Sequence, residues 1–182
     1  MHRAPLLALL KKYAPIDAAD AACRARFLAF VEAQPRCFER ALDIGHVTGS
    51  AWIVDRAGER VLLTHHRKLN LWLQPGGHAD GDPDVASVAL REAHEETGLE
   101  NLARCDDGVL DLDIHRIPAR GAVPEHEHFD VRFAFRATAG EAFVVSEESH
   151  ALAWVALDEL ERFTTEPSML RMRAKWRALR TT

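Results

Sequence analysis

A chain of 182 residues that is 47% apolar and 28% charged has the composition of a globular protein with room for one good-sized core. Its formal net charge of −5 argues against nucleic-acid binding by bulk electrostatics, and no apolar run approaches the ~20 residues of a membrane-spanning helix. The three cysteines, Cys23, Cys37 and Cys105, are odd in number and contain no Cys-x-x-Cys pair, so they indicate neither a disulfide framework nor a zinc site, and a reducing cytoplasm is the simplest home.

Residues 1–41 read as a helical extension. The apolar run from Ala4 to Leu10 is stopped by Lys11-Lys12, and no small-residue cleavage site follows, so it reads as a short helix rather than a signal peptide. Asp17 is placed to cap a second helix, whose apolar face holds Ala21, Ala22, Ala25, Phe27, Leu28, Phe30 and Val31 up to Pro35. A third short helix is expected around Phe38 and Leu42. This segment carries no chemical motif and reads as a layer packed on the core or on a second copy, which leaves a homodimer open; a substrate-selecting cap is the other reading.

From His46 the period changes. Val47–Val54 reads as a strand, Gly58 as a turn, and Arg60–Thr64 as the returning strand of a hairpin. Leu71-Trp72-Leu73 is a short strand that delivers the chain to a turn at Pro75-Gly76-Gly77-His78. Asp82 and Pro83 then look like the N-cap and first residue of a helix ending at Gly98. At ~100° per residue, Val85, Ala89, Glu92 and Glu96 fall on one stripe, with Val88 and Glu95 beside it. Carboxylates three and four apart repel, and one arginine, Arg91, cannot neutralise three. The natural compensator is a hard divalent cation, Mg²⁺ or Mn²⁺.

This stretch resembles the Nudix box: Gly, five residues, Glu, seven residues, Arg-Glu, a bulky apolar residue, any residue, Glu-Glu, any residue, Gly, and an apolar residue. Gly77 opens it and Arg91-Glu92-Ala93-His94-Glu95-Glu96-Thr97-Gly98-Leu99 closes it at the right spacing. Pro83 stands where the family has its first Glu, and Ala93 where it has the bulky residue. The resemblance covers about residues 44–165 and implies an α/β/α sandwich with a mixed sheet, in a domain running from residue 42 to 182.

Further strands are expected at Gly108–Ile117, Glu127–Ala137 and Ala151–Val155, a short helix at Leu157–Phe163, and a last helix at Pro167–Arg180. The basic residues of that last helix, Arg171, Arg173, Lys175, Arg177 and Arg180, read as a solvated face. Strand alternation puts Asp111, Asp113 and His115 on one polar face, and His126, His128, Asp130 and Arg132 on another. With His65, His66 and His78, the pair His126 and His128 is expected to line a substrate cleft, contacting phosphate oxygens or a second metal.

What the resemblance implies for function is a Mg²⁺-dependent (or Mn²⁺-dependent) hydrolase that cleaves the diphosphate linkage of a nucleoside diphosphate joined to another group. Glu92, Glu95 and Glu96 would hold the metal, Arg91 would orient them, and Gly76, Gly77, His78, His126, His128 and Arg132 would meet the substrate. The family often places a further Glu in the loop before the strand of Trp154; Glu148 matches best as general base, Glu147 is the reserve, and Glu92 the third candidate. Trp52, Trp72 and Phe129 are guesses for stacking on a base. A non-catalytic nucleotide-binding module and a diphosphate isomerase are the rival readings, the latter disfavoured because no cysteine lies beside the box.

Overall fold

The structure is a computed structural model and describes residues 2–180. Among these, eight strands form one mixed sheet. The central strand β1 (Gly45–Val54) is buried along its whole length and pairs in parallel with β7 (His126–Ala137). Its other edge is shared. The outer half pairs with β2 (Arg60–His66), and residues 48–50 pair with β4 (Gly76–His78). β3 (Leu71–Leu73) and β8 (Ser149–Ala156) flank β2, while β5 (Leu102–Arg104) and β6 (Asp111–Ile117) flank β7.

Two clusters of apolar side chains hold helices on the two faces. On one, Val47, Ala51 and Ile53 of β1 pack with Val131 and Phe133 of β7 against α1 (Ala4–Lys12), α2 (Ala18–Ala33) and α3 (Val85–Thr97). On the other, Trp52 and Val54 pack with Met169, Met172 and Trp176 of α4 (Pro167–Arg180) and with the 3₁₀ turn Leu157–Arg162. This is the α/β architecture with a mixed sheet between helical layers that the sequence predicts. Gly49 is needed where α3 crosses β1, since a Cβ there would lie 2.8 Å from the Val85 carbonyl oxygen. No helix among the described residues is long and apolar enough to cross a membrane.

Several local expectations shift. α2 is capped by Asp17, which accepts from the Asp20 N–H, and α3 ends at Gly98 with φ of 69°, as read from the sequence. α3 starts two residues late, however. Asp84 is its N-cap, accepting from the Ser87 N–H at 3.1 Å, whereas Asp82 closes a tighter turn onto the Asp84 N–H, leaving Pro83 outside the helix. Gly76–His78 is a strand rather than a turn, because β1 offers it unpaired backbone groups at residues 48–50. No third helix forms near Phe38 and Leu42; residues 35–44 are turns.

The largest correction concerns charge. Arg132 is 3% exposed and donates to Asp130 at 2.7 Å, Asp111 at 3.1 Å and Asp113 at 3.2 Å. Asp111, fully buried, also accepts from Arg171 at 2.8 Å and from Lys175 at 2.6 Å. Lys175 reaches Asp20 at 2.8 Å and the Tyr13 hydroxyl, which itself donates to Asp20 at 2.7 Å. Part of the basic face of α4 is therefore spent inside the molecule, through Arg171 and Lys175, while Arg173, Arg177 and Arg180 make more exposed pairs with Glu161, Asp158 and Glu59. Arg132 is likewise withdrawn from any substrate contact, all its donating edges being taken by carboxylates.

Removing one member of such a buried set strands its partners, which costs about 3–5 kcal/mol, whereas an exposed pair is worth ~1 kcal/mol or less. Lys175→Met should therefore lower the urea-unfolding free energy by several kcal/mol, and Arg177→Ala, on the exposed side of the same helix, should hardly change it. Equal losses in tryptophan-monitored unfolding would remove the special role of the network.

Candidate active site

The carboxylates of α3 meet β4. Glu96 is 7% exposed and its carboxylate accepts the Gly76 N–H at 2.8 Å. The Glu92 carboxylate lies against Gly77, where any Cβ would collide with it. Glu95 stays out in solvent, its side chain 60% exposed, and is tied back by Arg91. Arg91 pairs with Glu92 at 2.8 Å and with Glu95 at 3.4 Å, and it donates to the His78 carbonyl at 3.3 Å. One guanidinium thus links the helix to β4.

Burial dominates the ionisation of these groups. Desolvation pushes Glu96 up from its ordinary 4.5 to about 7, and the charges of Glu92, Glu148 and Glu95 add to it against the single Gly76 hydrogen bond. Glu92 is raised too, first by burial and then by Glu95 and Glu148, with Arg91 opposing. Two partly buried carboxylates of like sign, backed by a third and answered by one arginine, make a set of hard oxygen donors that fits Mg²⁺ or Mn²⁺. Glu148 belongs to this neighbourhood, since its charge acts on Glu92, Glu96, His66 and His78. It sits exposed in the turn before β8, its carbonyl accepting from the Arg67 N–H at 2.9 Å.

The histidines divide into two groups. His78, His126 and His128 come together on one sheet face, as expected, joined by His46 and His115. His65 lies elsewhere, stacked on Trp72 at 4.9 Å and near His150. His46 escaped the sequence reading although the stripe His46, Thr48, Ser50 carries the same polar alternation as β6 and β7; its partner, β7, is far away in sequence and pairs in parallel. Burial lowers His46 to about 4 and His128 to about 2, with neighbouring imidazoles adding to the effect, so both are neutral near pH 7.

Of the three aromatic guesses, Trp52 is fully buried and Phe129 is 4% exposed, stacked on Phe30 at 3.7 Å; both belong to the core. Trp72 is only partly buried. The three cysteines lie in or against the apolar clusters, where burial pushes each thiol up, to about 11 for Cys23 and Cys37. None is poised as a nucleophile or acid.

A family model described as a NUDIX domain matches residues 46–176. A proposed 8-oxo-dGTP diphosphatase of Bacillus subtilis (strain 168) is 27% identical over 118 residues, which are 65% of this chain and 72% of that protein. The human m7GpppN-mRNA hydrolase NUDT17 is 36% identical over 78 residues, 39% of this chain, and the match spans only 24% of that relative's length. Among solved structures, a Caenorhabditis elegans Ap4A hydrolase in a binary complex superposes with a TM-score of 0.61 at 20% identity, covering 74% of this chain and 97% of that one, a likeness of fold.

Two tests follow from this geometry. A Cβ at Gly76 would lie 2.9 Å from the Ser50 Cα, on strand backbone, but at Gly77 it would meet only the mobile end of Glu92. Gly76→Ala should lower the melting temperature, while Gly77→Ala should leave it nearly unchanged and displace Glu92; the opposite order in a thermal scan would contradict the packing. Glu96 gives a pH test. Its folded pKa lies above its unfolded value, so the native state binds more protons and loses stability as pH rises. In chelator, wild type should lose about 2–3 kcal/mol relative to Glu96→Gln between pH 5 and pH 8. The difference between the two proteins isolates Glu96, because the buried neutral histidines act oppositely below pH 6.5. A pH-independent difference would refute the burial of an ionisable Glu96.

Proposed function

Because this chain belongs to the Nudix family and is a hydrolase acting on acid anhydrides, we propose that it is a Mg²⁺-dependent enzyme cleaving the diphosphate linkage of a nucleoside diphosphate joined to another group. The observation that carries this reading is the pair Glu92 and Glu96, held by α3 against the backbone of Gly76 and Gly77 with one arginine among three carboxylates. The relatives are named for 8-oxo-dGTP, an mRNA cap and Ap4A, a spread that supports the anhydride and no single base or leaving group.

In this proposal Glu92, Glu95 and Glu96 hold the divalent cation. When bound, it offsets phosphate charge and makes a water easier to deprotonate. The remaining work falls to the chain itself. Arg91 keeps Glu92 oriented toward β4 and ties Glu95 beside it. Gly76 and Gly77 keep the strand thin, so that carboxylates and a phosphate approach the same backbone. His78 and His126 line the polar side of the phosphate path. Glu148 takes the proton from the water that attacks phosphorus. A carboxylate engaged with a cation is a poor proton acceptor, and Glu148 stands on a separate turn while its charge still reaches Glu92 and Glu96. Displacement at phosphorus then releases two phosphate-bearing products.

The reading is tested with nucleoside triphosphates, nucleoside diphosphate sugars, dinucleoside polyphosphates and capped RNA, followed by phosphatase-sensitive product. At least one class should turn over with Mg²⁺ and stop in chelator; activity indifferent to chelator would overturn the metal assignment. Glu148→Gln should lower kcat by about 10²–10⁴-fold with Mg²⁺ affinity near normal, and Glu147→Gln should do much less. The reverse ranking would move the base to Glu147, and two silent variants would leave Glu92.

A further inference from the structure

The imidazoles on the sheet face pose a problem that the hydrolase reading leaves unsolved. Parallel pairing of β1 and β7 sets His46 beside His128, and antiparallel pairing of β1 and β4 sets His78 opposite Thr48. The ring centroids form a nearly equilateral triangle: 5.1 Å for His46–His78, 4.9 Å for His46–His128 and 5.0 Å for His78–His128. One ring nitrogen from each of the three lies within 4.8 Å of the others. His46 is 2% exposed, yet neither of its ring nitrogens has a hydrogen-bond partner among the described residues, and neither does Nε2 of His128. A buried polar atom left unpaired costs about 1–3 kcal/mol, and unpaired imidazole nitrogens on two of three converging rings call for a ligand.

We propose that His46, His78 and His128 form a binding site for a borderline transition-metal cation, Zn²⁺ foremost, distinct from the carboxylate set on α3. Neutral imidazole suits Zn²⁺, Co²⁺, Ni²⁺ and Cu²⁺, whereas the hard oxygens of Glu92, Glu95 and Glu96 suit Mg²⁺. Three histidines complete three corners of a tetrahedron and leave the fourth open. At 2.0–2.1 Å from zinc, such nitrogens stand roughly 3.3 Å apart, so atoms now within 4.8 Å of one another would draw closer on binding.

The charges acting on the cluster are mixed: Arg40 acts on His46 and His78, and Asp80 and Glu148 act on His78 with the opposite sign. The adjoining network holds four carboxylates, Asp20, Asp111, Asp113 and Asp130, against three cations, Arg132, Arg171 and Lys175, a formal excess of −1 when all are ionised. Asp113 reaches the cluster through His115, at 3.2 Å from its Nδ1, and the His115 ring stands 5.3 Å from His128. The site shares only His78 with the hydrolase reading, and none of its three ligands belongs to the carboxylate set.

The test uses the chelator-stripped full chain and Zn²⁺ alone, titrated in competition with a chromophoric chelator. One tight equivalent is expected, retained in excess Mg²⁺ and in a Glu92→Gln, Glu96→Gln double variant. His46→Gln and His128→Gln should each weaken it by about tenfold or more. His65→Gln, at the separate His65–His150 pair, should leave it intact. No equivalent in the wild type, an equivalent untouched by both ligand variants, or one lost with the two glutamates would each overturn the proposal. Should the ligand variants fail to fold, imidazole ¹⁵N resonances of the wild type decide: Zn²⁺ should shift those of His46, His78 and His128. Shifts caused by inorganic phosphate and not by Zn²⁺ would replace the cation site with an anion site.

Discussion

Asp111 is the point on which this architecture turns. It is fully buried on β6 and accepts from cations on two elements, Arg132 of β7 and Arg171 and Lys175 of α4. Through Lys175 it reaches Asp20 on α2 and Tyr13 just beyond α1. Burying so many charges is costly, and apolar replacements of the same volume can be as stable. What the network adds is mutual dependence: each charge is tolerable only if every partner is in place. The helices outside the sheet are therefore held in one registration, and the N-terminal segment shares the core of the sheet it covers. Burial alone would raise Asp113, yet His115, Arg132 and Arg171 outweigh it and hold that carboxyl well below its ordinary range.

The same sheet face is divided by function along its length. At one end Trp52 and Val54 pack under α4; in the middle Thr48 and Ser50 donate to Asp130 at 2.9 and 2.8 Å; at the other end the imidazoles gather. Strand alternation forces this continuity, since residues two apart must share a face. β4 is where that face meets the carboxylates of α3. Gly76 has Ser50 on one side, Gly77 has Glu92 on the other, and His78 returns to the imidazole side. Three consecutive residues of one short strand serve both sets of polar groups, and two of them lack side chains because both sides are already occupied.

Much of this was legible in the sequence, for identifiable reasons. The helix-ending glycine, the Asp17 cap, the strand periods and the Arg91-Glu92…Glu95-Glu96 spacing are local signals, each governed by backbone sterics or by neighbours within one turn. They sufficed for the fold class and for placing Glu92, Glu95 and Glu96 on one helix that ends at Gly98. Where local signals competed, boundaries slipped: Asp82 and Asp84 are both plausible caps, and the helix takes the second, with Val85 packed against Gly49.

What the sequence by itself determined, then, was which residues are polar, at what spacing, and on which alternating face. Which polar residues are used internally and which are left for ligands was decided only by the tertiary structure. Arg132 and His128 occupy the same face of the same strand, yet one is saturated by three aspartates and the other stands among four imidazoles with its Nε2 unpaired among the described residues. The basic stripe of α4 looked like a solvated face because the buried partners of Arg171 and Lys175 lie up to 162 positions away, outside the helix. Pairing across such distances depends on strand order, on the parallel register of β1 with β7, and on the helices laid over them. No local pattern encodes those choices, because they are settled by which assembly leaves the fewest buried charges unpaired.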